Sequence, residues 1–344
     1  MSSVEPSHRL PAEWERHQAT WLSWPHSDGC TFPGETLQRV LPAMAEIVME
    51  LSGSEQVFIN VRDESEEAQV FKAIGSSALS RVTVVRIPTN EPWCRDHGPI
   101  FIGKDHGSPG MVATCWKFAA WGGKYEPFDD DAAASEKIAM ELGIPSIRIP
   151  YVLEGGMIDS NGAGAALVSR SALLDPNRNP HLDQVLAEKL LKEHLGIEIP
   201  IWLDAQVPGD DTDGHVDTYA RFVSERRVVI CLDESENSFA SVADAIQARI
   251  PDVEILAIAP PETFEMYGDT VPASYANFYI ANRVVLLPVF GMETDRAAIE
   301  QFAILFPEHR IVPINCREII WGLGAIHCLT CPVPALPAED FGED

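Results

Sequence analysis

Residues 219–258 read YARFVSERRVVICLDESENSFASVADAIQARIPDVEILAI, and residues 275–314 read YANFYIANRVVLLPVFGMETDRAAIEQFAILFPEHRIVPI. The two align without a gap at an offset of 56. Tyr219-Ala220-Arg221-Phe222 falls on Tyr275-Ala276-Asn277-Phe278, Arg227-Val228-Val229 on Arg283-Val284-Val285, and Pro251 on Pro307. Both segments read strand, short turn, strand, helix, strand, because short β-branched runs flank one amphipathic stretch. At an offset of 171, VFINV (57–61) falls on VVICL (228–232) and VTVVRI (82–87) on VEILAI (253–258).

Working outward, helices are expected near 64–74, 131–142, 182–195, 237–249 and 295–306, with one more near 35–51. The first three end at Gly75, Gly143 and Gly196, the residue type that best tolerates a left-handed cap, and Pro251 and Pro307 closely follow the last two. Strands should follow near 82–87, 146–149, 198–203, 253–258 and 310–314. Five such units, each too small to bury its own apolar face, predict an α/β fold. Its expected form is a pseudo-symmetric ring of five repeats of about 56 residues around one axis, with residues 1–344 as a single domain.

Lys and Arg number 25 against 52 Asp and Glu, a formal charge of −27. Such a surface repels nucleic-acid phosphates and anionic membranes, so neither is an expected partner; it suits a small cation. No run of apolar residues is long enough to span a bilayer, and MSSVEPSHRLPAEWERH lacks the apolar core of a signal peptide. Seven scattered cysteines, an odd number, fit reduced thiols and a cytoplasmic location. The oligomeric state, a homo-oligomer included, is left open.

In a ring of repeats, the segments leaving each last strand converge. PTNEPWCRDHGP carries Asp96, PYVLEGG carries Glu154, DAQVPGDDTDGHVD carries His215 and Asp217, and NCREIIWGLGAIHCLT carries His327 and Cys328. The fourth exit, APPETFEMYGD, has no comparable cluster. Cys with His suffices for thiol nucleophilic catalysis. Several acids beside them suit a cationic electrophile: a planar guanidinium takes carboxylates in its own plane and leaves its carbon open to sulfur.

Each residue also has a purely structural reading. Cys328 could be a small core hydrophobe, as fits Cys30, Cys115, Cys231 and Cys316. His215 could be satisfied by Asp217, Asp96 could pair with Arg95, and Glu154 could cap a turn. Cys328 and Cys331 form a CxxC, but no second ligand pair marks a zinc site and the prolines of CLTCPVPALP disfavour the helix of a redox pair. There is no GxxxxGK[ST], and no GxGxxG joins a strand to a helix, so no cofactor and no metal is expected.

With HQATWLSWPH, EPWCRDHGPIFI, LEGG, LLDPNRNP, GDDTDGHVDTYARFV, ASYANFYIANRVVLLPVFG and GLGAIHCLTCPVPA in that order, the sequence resembles the agmatine deiminase and bacterial peptidylarginine-deiminase-like family of guanidino-group-modifying enzymes. The resemblance implies the pentein fold, a five-bladed α/β propeller. It implies Cys328 as nucleophile, His215 as general acid/base, Asp96 and Asp217 on the guanidinium, Glu154 beside the histidine, and Trp93 in the pocket lining. The implied reaction is deimination of agmatine to N-carbamoylputrescine and ammonia, a step toward putrescine. For the amine end of agmatine, Glu91, Asp210 and Asp211 are candidates; for the carboxylate of arginine, Arg95 and Arg178. Other guanidines, an amidinotransferase and a guanidine-binding propeller without turnover remain alternatives. The chain has His97 where the family carries a small hydroxyl residue, and GLGAIHC where it carries a GGGNIHC-like loop.

Overall fold

The computed structural model describes residues 8–75, 79–104 and 110–335. Five sheets of three or four strands share one pattern: an antiparallel strand pair, then a helix, then a strand parallel to the second. The plainest copies are Ala220–Ser224, Arg227–Ile230 and Glu254–Ala257, and Tyr279–Ile280, Val284–Val289 and Arg310–Asn315. Ile158–Ser160, Ala165–Ser169 and Ile199–Leu203 form the next, and Ile100–Lys104, Met111–Lys117 and Ser146–Val152 another, with His8–Arg9 on its edge. In the fifth, Thr330–Pro334 lies antiparallel to His17–Ser23, which continues in parallel through Gln56–Asn60 to Val82–Val85. The two ends of the chain thus share a sheet. A two-stranded ribbon, Glu265–Met266 with Asp269–Thr270, sits in the fourth exit.

The five anticipated crossover helices are Glu64–Ile74, Asp129–Glu141, Gln184–Leu195, Asn237–Arg249 and Asp295–Leu305, and the extra one is Thr36–Ser52. Local chemistry explains the boundaries that differ. The third helix starts at Gln184, not 182, because Asp183 caps it and accepts the Leu186 N–H. It ends at Gly196, whose φ of 68° is left-handed. The second starts at Asp129 because three acids occupy its positive first turn. The gapless register slips by one residue within the repeat: Val228 lies opposite Ile255, and Val285 opposite Ile311. Middle strands such as Ala165–Ser169 are buried along their whole length, as strands covered on both faces must be.

What places the sequence-predicted site residues is a set of five short turns: Cys94–His97, Gly155–Met157, Val216–Thr218, Tyr275–Asn277 and Ile326–Leu329. Each contacts the next in that order, and the last contacts the first.

Candidate active site

These turns bring the sequence-predicted residues Asp96, Glu154, His215, Asp217 and Cys328 together, all buried. His215 Nε2 lies 2.8 Å from Glu154 Oε2. Glu154 is itself clamped by Arg178, whose Nε donates to both carboxylate oxygens at 3.0 and 3.2 Å. Asp96 accepts the Gly156 N–H on Oδ1 and the Trp121 indole N–H on Oδ2, each at 3.0 Å. Asp217 Oδ2 takes the Nδ1 of His327 at 2.7 Å and stands 3.7 Å from Cys328 Sγ. Asn277 Nδ2 donates to the same sulfur at 3.2 Å.

Two buried polar atoms here have no hydrogen-bond partner among the described residues: His215 Nδ1 and Asp217 Oδ1. Both surround Gly156, where an added Cβ would come within 2.4 Å of His215 Nδ1 and 3.1 Å of Asp217 Oδ1. Glycine is needed there because the turn passes between them. Gly322 and Gly324 serve likewise against Trp93, whose ring would meet a Cβ at 2.7 and 2.6 Å.

Electrostatics follow from the packing. Burial disfavours the His215 cation, but Asp96, Glu154 and Asp217 outweigh it and push its pKa up to about 9. Burial, then Asp217 and Asp96, raise the Cys328 thiol well above its ordinary value, against the Asn277 hydrogen bond. Burial raises Asp96 too, with Glu154 and Asp217 adding to it against His215. Asp217 is lowered, because His327, His215 and Arg221 outweigh its burial.

Cys328 and Asp96 lie at the buried end of a cavity of about 430 Å³ walled by Trp93, Trp121 and Trp321. Asp210, Asp211 and Asp269 line its more exposed part, and none of its described lining residues is Lys or Arg. Asp210 braces its own loop, accepting from Thr212 and Gly214. Asp211 is engaged by Lys124 Nζ at 3.2 Å and the Tyr125 hydroxyl at 2.5 Å. Glu91 does not line this cavity: its carboxylate accepts the N–H groups of Cys30 and Thr31 at 2.6 and 3.2 Å and ties that loop down. Trp93 does line it, its indole N–H directed to Thr31 Oγ1.

The structural readings resolve by geometry. His215 bonds to Glu154 and not to Asp217, and Arg95 pairs with Glu13 at 2.8 Å and not with Asp96. Cys331 is buried, with its Sγ directed to the Pro99 carbonyl. His97, the departure from the family pattern, packs outside the cavity between Ser23 and Asp131. Sequence reasoning missed Asn277, Glu13, Trp121 and Asp269. The fourth exit, in which the sequence shows no comparable cluster, supplies Asp269, and the turn Tyr275–Asn277 that follows it supplies Asn277.

The model of the Porphyromonas-type peptidyl-arginine deiminase family matches residues 9–334. The chain belongs to that family. A Marinomonas protein provisionally named agmatine deiminase is 31% identical over 357 residues, covering 95% of this chain and 94% of its own. Among solved structures, a Cys-to-Ser variant of C. jejuni agmatine deiminase with substrate bound superposes with a TM-score of 0.87 at 26% identity, covering 98% of this chain and 99% of its own. The agmatine deiminase of Enterococcus faecalis gives 0.85 at 28% identity, covering 96% and 98%. The mixed α/β fold is therefore the fold of those enzymes. As a family member the chain is a hydrolase of guanidino C–N bonds.

Proposed function

We propose that the protein hydrolyses agmatine to N-carbamoylputrescine and ammonia through a covalent thiouronium on Cys328. The observation that carries this is the pair of unpartnered buried atoms, His215 Nδ1 and Asp217 Oδ1, beside a thiol at the end of an acid-lined cavity. An unmet buried polar atom costs about 1–3 kcal/mol, and a guanidinium N–H would satisfy Asp217 Oδ1.

The guanidinium docks between Asp96 and Asp217. Its charge neutralises the two acids that hold the thiol protonated, and the thiol proton leaves to solvent. The thiolate attacks the guanidinium carbon. His215 is an imidazolium with Nε2–H on Glu154, so its Nδ1–H protonates the departing nitrogen, the C–N bond breaks and ammonia leaves. Neutral Nδ1 then takes a proton from water as the hydroxide attacks the planar S-alkylthiouronium. The C–S bond breaks as the remaining O–H proton passes to Sγ, giving the ureido product and restoring the Cys328 thiol. Acid–base help of this kind is worth roughly 10²–10⁴-fold. The steps consume only water beyond the substrate.

Agmatine is favoured over arginine because Arg178 is committed to Glu154, Asp175 and Asp213, and Arg95 to Glu13. Neither is free for a carboxylate. Asp269, exposed in the lining and with no side-chain partner among the described residues, suits the amine of agmatine better than Glu91 does. We further read the five sheets as blades of one closed ring and residues 1–344 as one domain, on the strength of the five turns that contact each other in a cycle. Ammonia release from agmatine, arginine and an alkylguanidine tests the reading. Agmatine should lead arginine by about 10²-fold or more in kcat/KM, the cost of a mismatched charge in a closed site. Equal turnover of arginine would overturn the substrate, and no ammonia from any guanidine would overturn the reaction.

A further inference from the structure

We propose that His327 and Glu13 are a positioning pair that fixes Asp217, and through it Cys328, for catalysis; the proposal rests on the deiminase reading above. His327 directly precedes Cys328 in the chain, and each of its ring nitrogens faces a carboxylate. Nδ1 is 2.7 Å from Asp217 Oδ2 and Nε2 is 2.9 Å from Glu13 Oε2. A neutral imidazole has one N–H and satisfies only one of them. Glu13 is anionic: Arg95 Nη2 donates to Oε2, and Arg221 Nη2 to Oε1, both at 2.8 Å, with the Ile280 N–H on Oε1 at 3.0 Å. Those cations and His327 outweigh its burial and hold it well below the usual carboxylate range. With Asp217 also lowered, each ring nitrogen of His327 faces an anionic carboxylate.

The consequence lies at Asp217. Donation to Oδ2 leaves Oδ1 as the unpartnered oxygen at the guanidinium position. The same oxygen accepts the Cys328 thiol at 3.7 Å, so His327, the nearer donor at 2.7 Å, competes with the thiol for it. Glu13 reaches further than His327 alone. Arg95 precedes Asp96, and its Nε donates to the His327 carbonyl at 3.2 Å. Arg221 lies in the strand after Asp217 and also donates to Asp159 and to the Phe278 carbonyl. One buried carboxylate therefore gathers the chain neighbours of Asp96 and Cys328 and an arginine four residues after Asp217. Neither Glu13 nor His327 lines the substrate cavity; both border a separate one of about 80 Å³. They act through Asp217 without touching substrate.

His327→Asn places an amide N–H near Nδ1, and His327→Gln places one near Nε2. The Asn variant should keep kcat/KM for agmatine within about tenfold of wild type. The Gln variant should lose about 10²-fold or more, with KM raised. Carbamidomethylation of Cys328 by iodoacetamide, followed on its peptide, should slow in Gln and not in Asn, because Asp217 freed of His327 holds the thiol hydrogen more firmly. Glu13→Gln should cost little extra kcat/KM in the His327→Asn background, since the two act in one relay. Equal behaviour of Asn and Gln, a loss in Gln that merely follows its melting temperature with KM and alkylation unmoved, or full additivity with Glu13→Gln would each overturn the proposal. Failure of the wild type to release ammonia would overturn the deiminase reading alone, because the alkylation comparison needs no substrate.

Discussion

Gly156 has no room for a side chain: a Cβ would meet His215 Nδ1 at 2.4 Å and both Asp217 oxygens at 3.1 Å. Gly156→Ala should therefore lower kcat/KM at least about 10²-fold by shifting the acid and the anchor together, with circular dichroism unchanged; near-wild-type activity would contradict this geometry. His215 carries a second prediction. Its imidazolium persists to about pH 9 because Asp96, Glu154 and Asp217 outweigh burial, so kcat/KM should decline above that pH. Glu154→Gln removes one of those anions and should move the alkaline limb to lower pH; an unmoved limb would exclude His215 as the acid. The stability sign agrees. The folded pKa lies above the ordinary 6.5, so the stabilisation is full below 6.5 and is lost as pH rises through about 9. Asp96, Glu154, His215, Asp217 and Cys328 were legible as residues because each sits in an exit segment of distinctive composition. Their partners were not. Glu154 reaches His215 across 61 positions, and Glu13 reaches His327 across 314, separations at which sequence adjacency suggests the wrong pairs, such as Arg95 with Asp96.

The crossover helices were readable to within two or three residues because capping and amphipathic spacing are local. The exits were not, because what a loop presents depends on the sheet that carries it. The fourth exit shows this best: it has no Cys, His or paired-acid motif, yet its ribbon brings Asp269 to the cavity, and the turn Tyr275–Asn277 just after it brings Asn277 to Cys328. Asp269→Asn should raise KM for agmatine roughly two- to fivefold, the size of an exposed ion pair, and leave an alkylguanidine without an amine unaffected. Equal effects on both would remove Asp269 from substrate binding. Glu91, two residues before Trp93 in sequence, instead secures the loop at Cys30 and Thr31. Glu91→Gln should lower the melting temperature and leave the agmatine-to-arginine preference in place; loss of that preference would return Glu91 to the pocket.

Across the whole molecule, the recurrent order of strands and helices was legible from one internal alignment, whereas the one-residue slip in strand register was not, since hairpin geometry sets it. The joining of the chain's two ends in one sheet has no sequence signature either, because Thr330–Pro334 carries three polar or proline residues and resembles a loop. The chain leads from Cys328 directly into Thr330–Pro334, which pairs with His17–Ser23. The charge of −27 and the aspartate-lined cavity agree in sign with a cationic substrate. Acid quenching of enzyme turning over agmatine, followed by peptide mass spectrometry, tests the central claim most directly. The account predicts a thiouronium adduct on the Cys328 peptide alone, abolished with turnover in Cys328→Ala and retained in Cys331→Ala. An adduct on another cysteine, or an active Cys328→Ala, would contradict it.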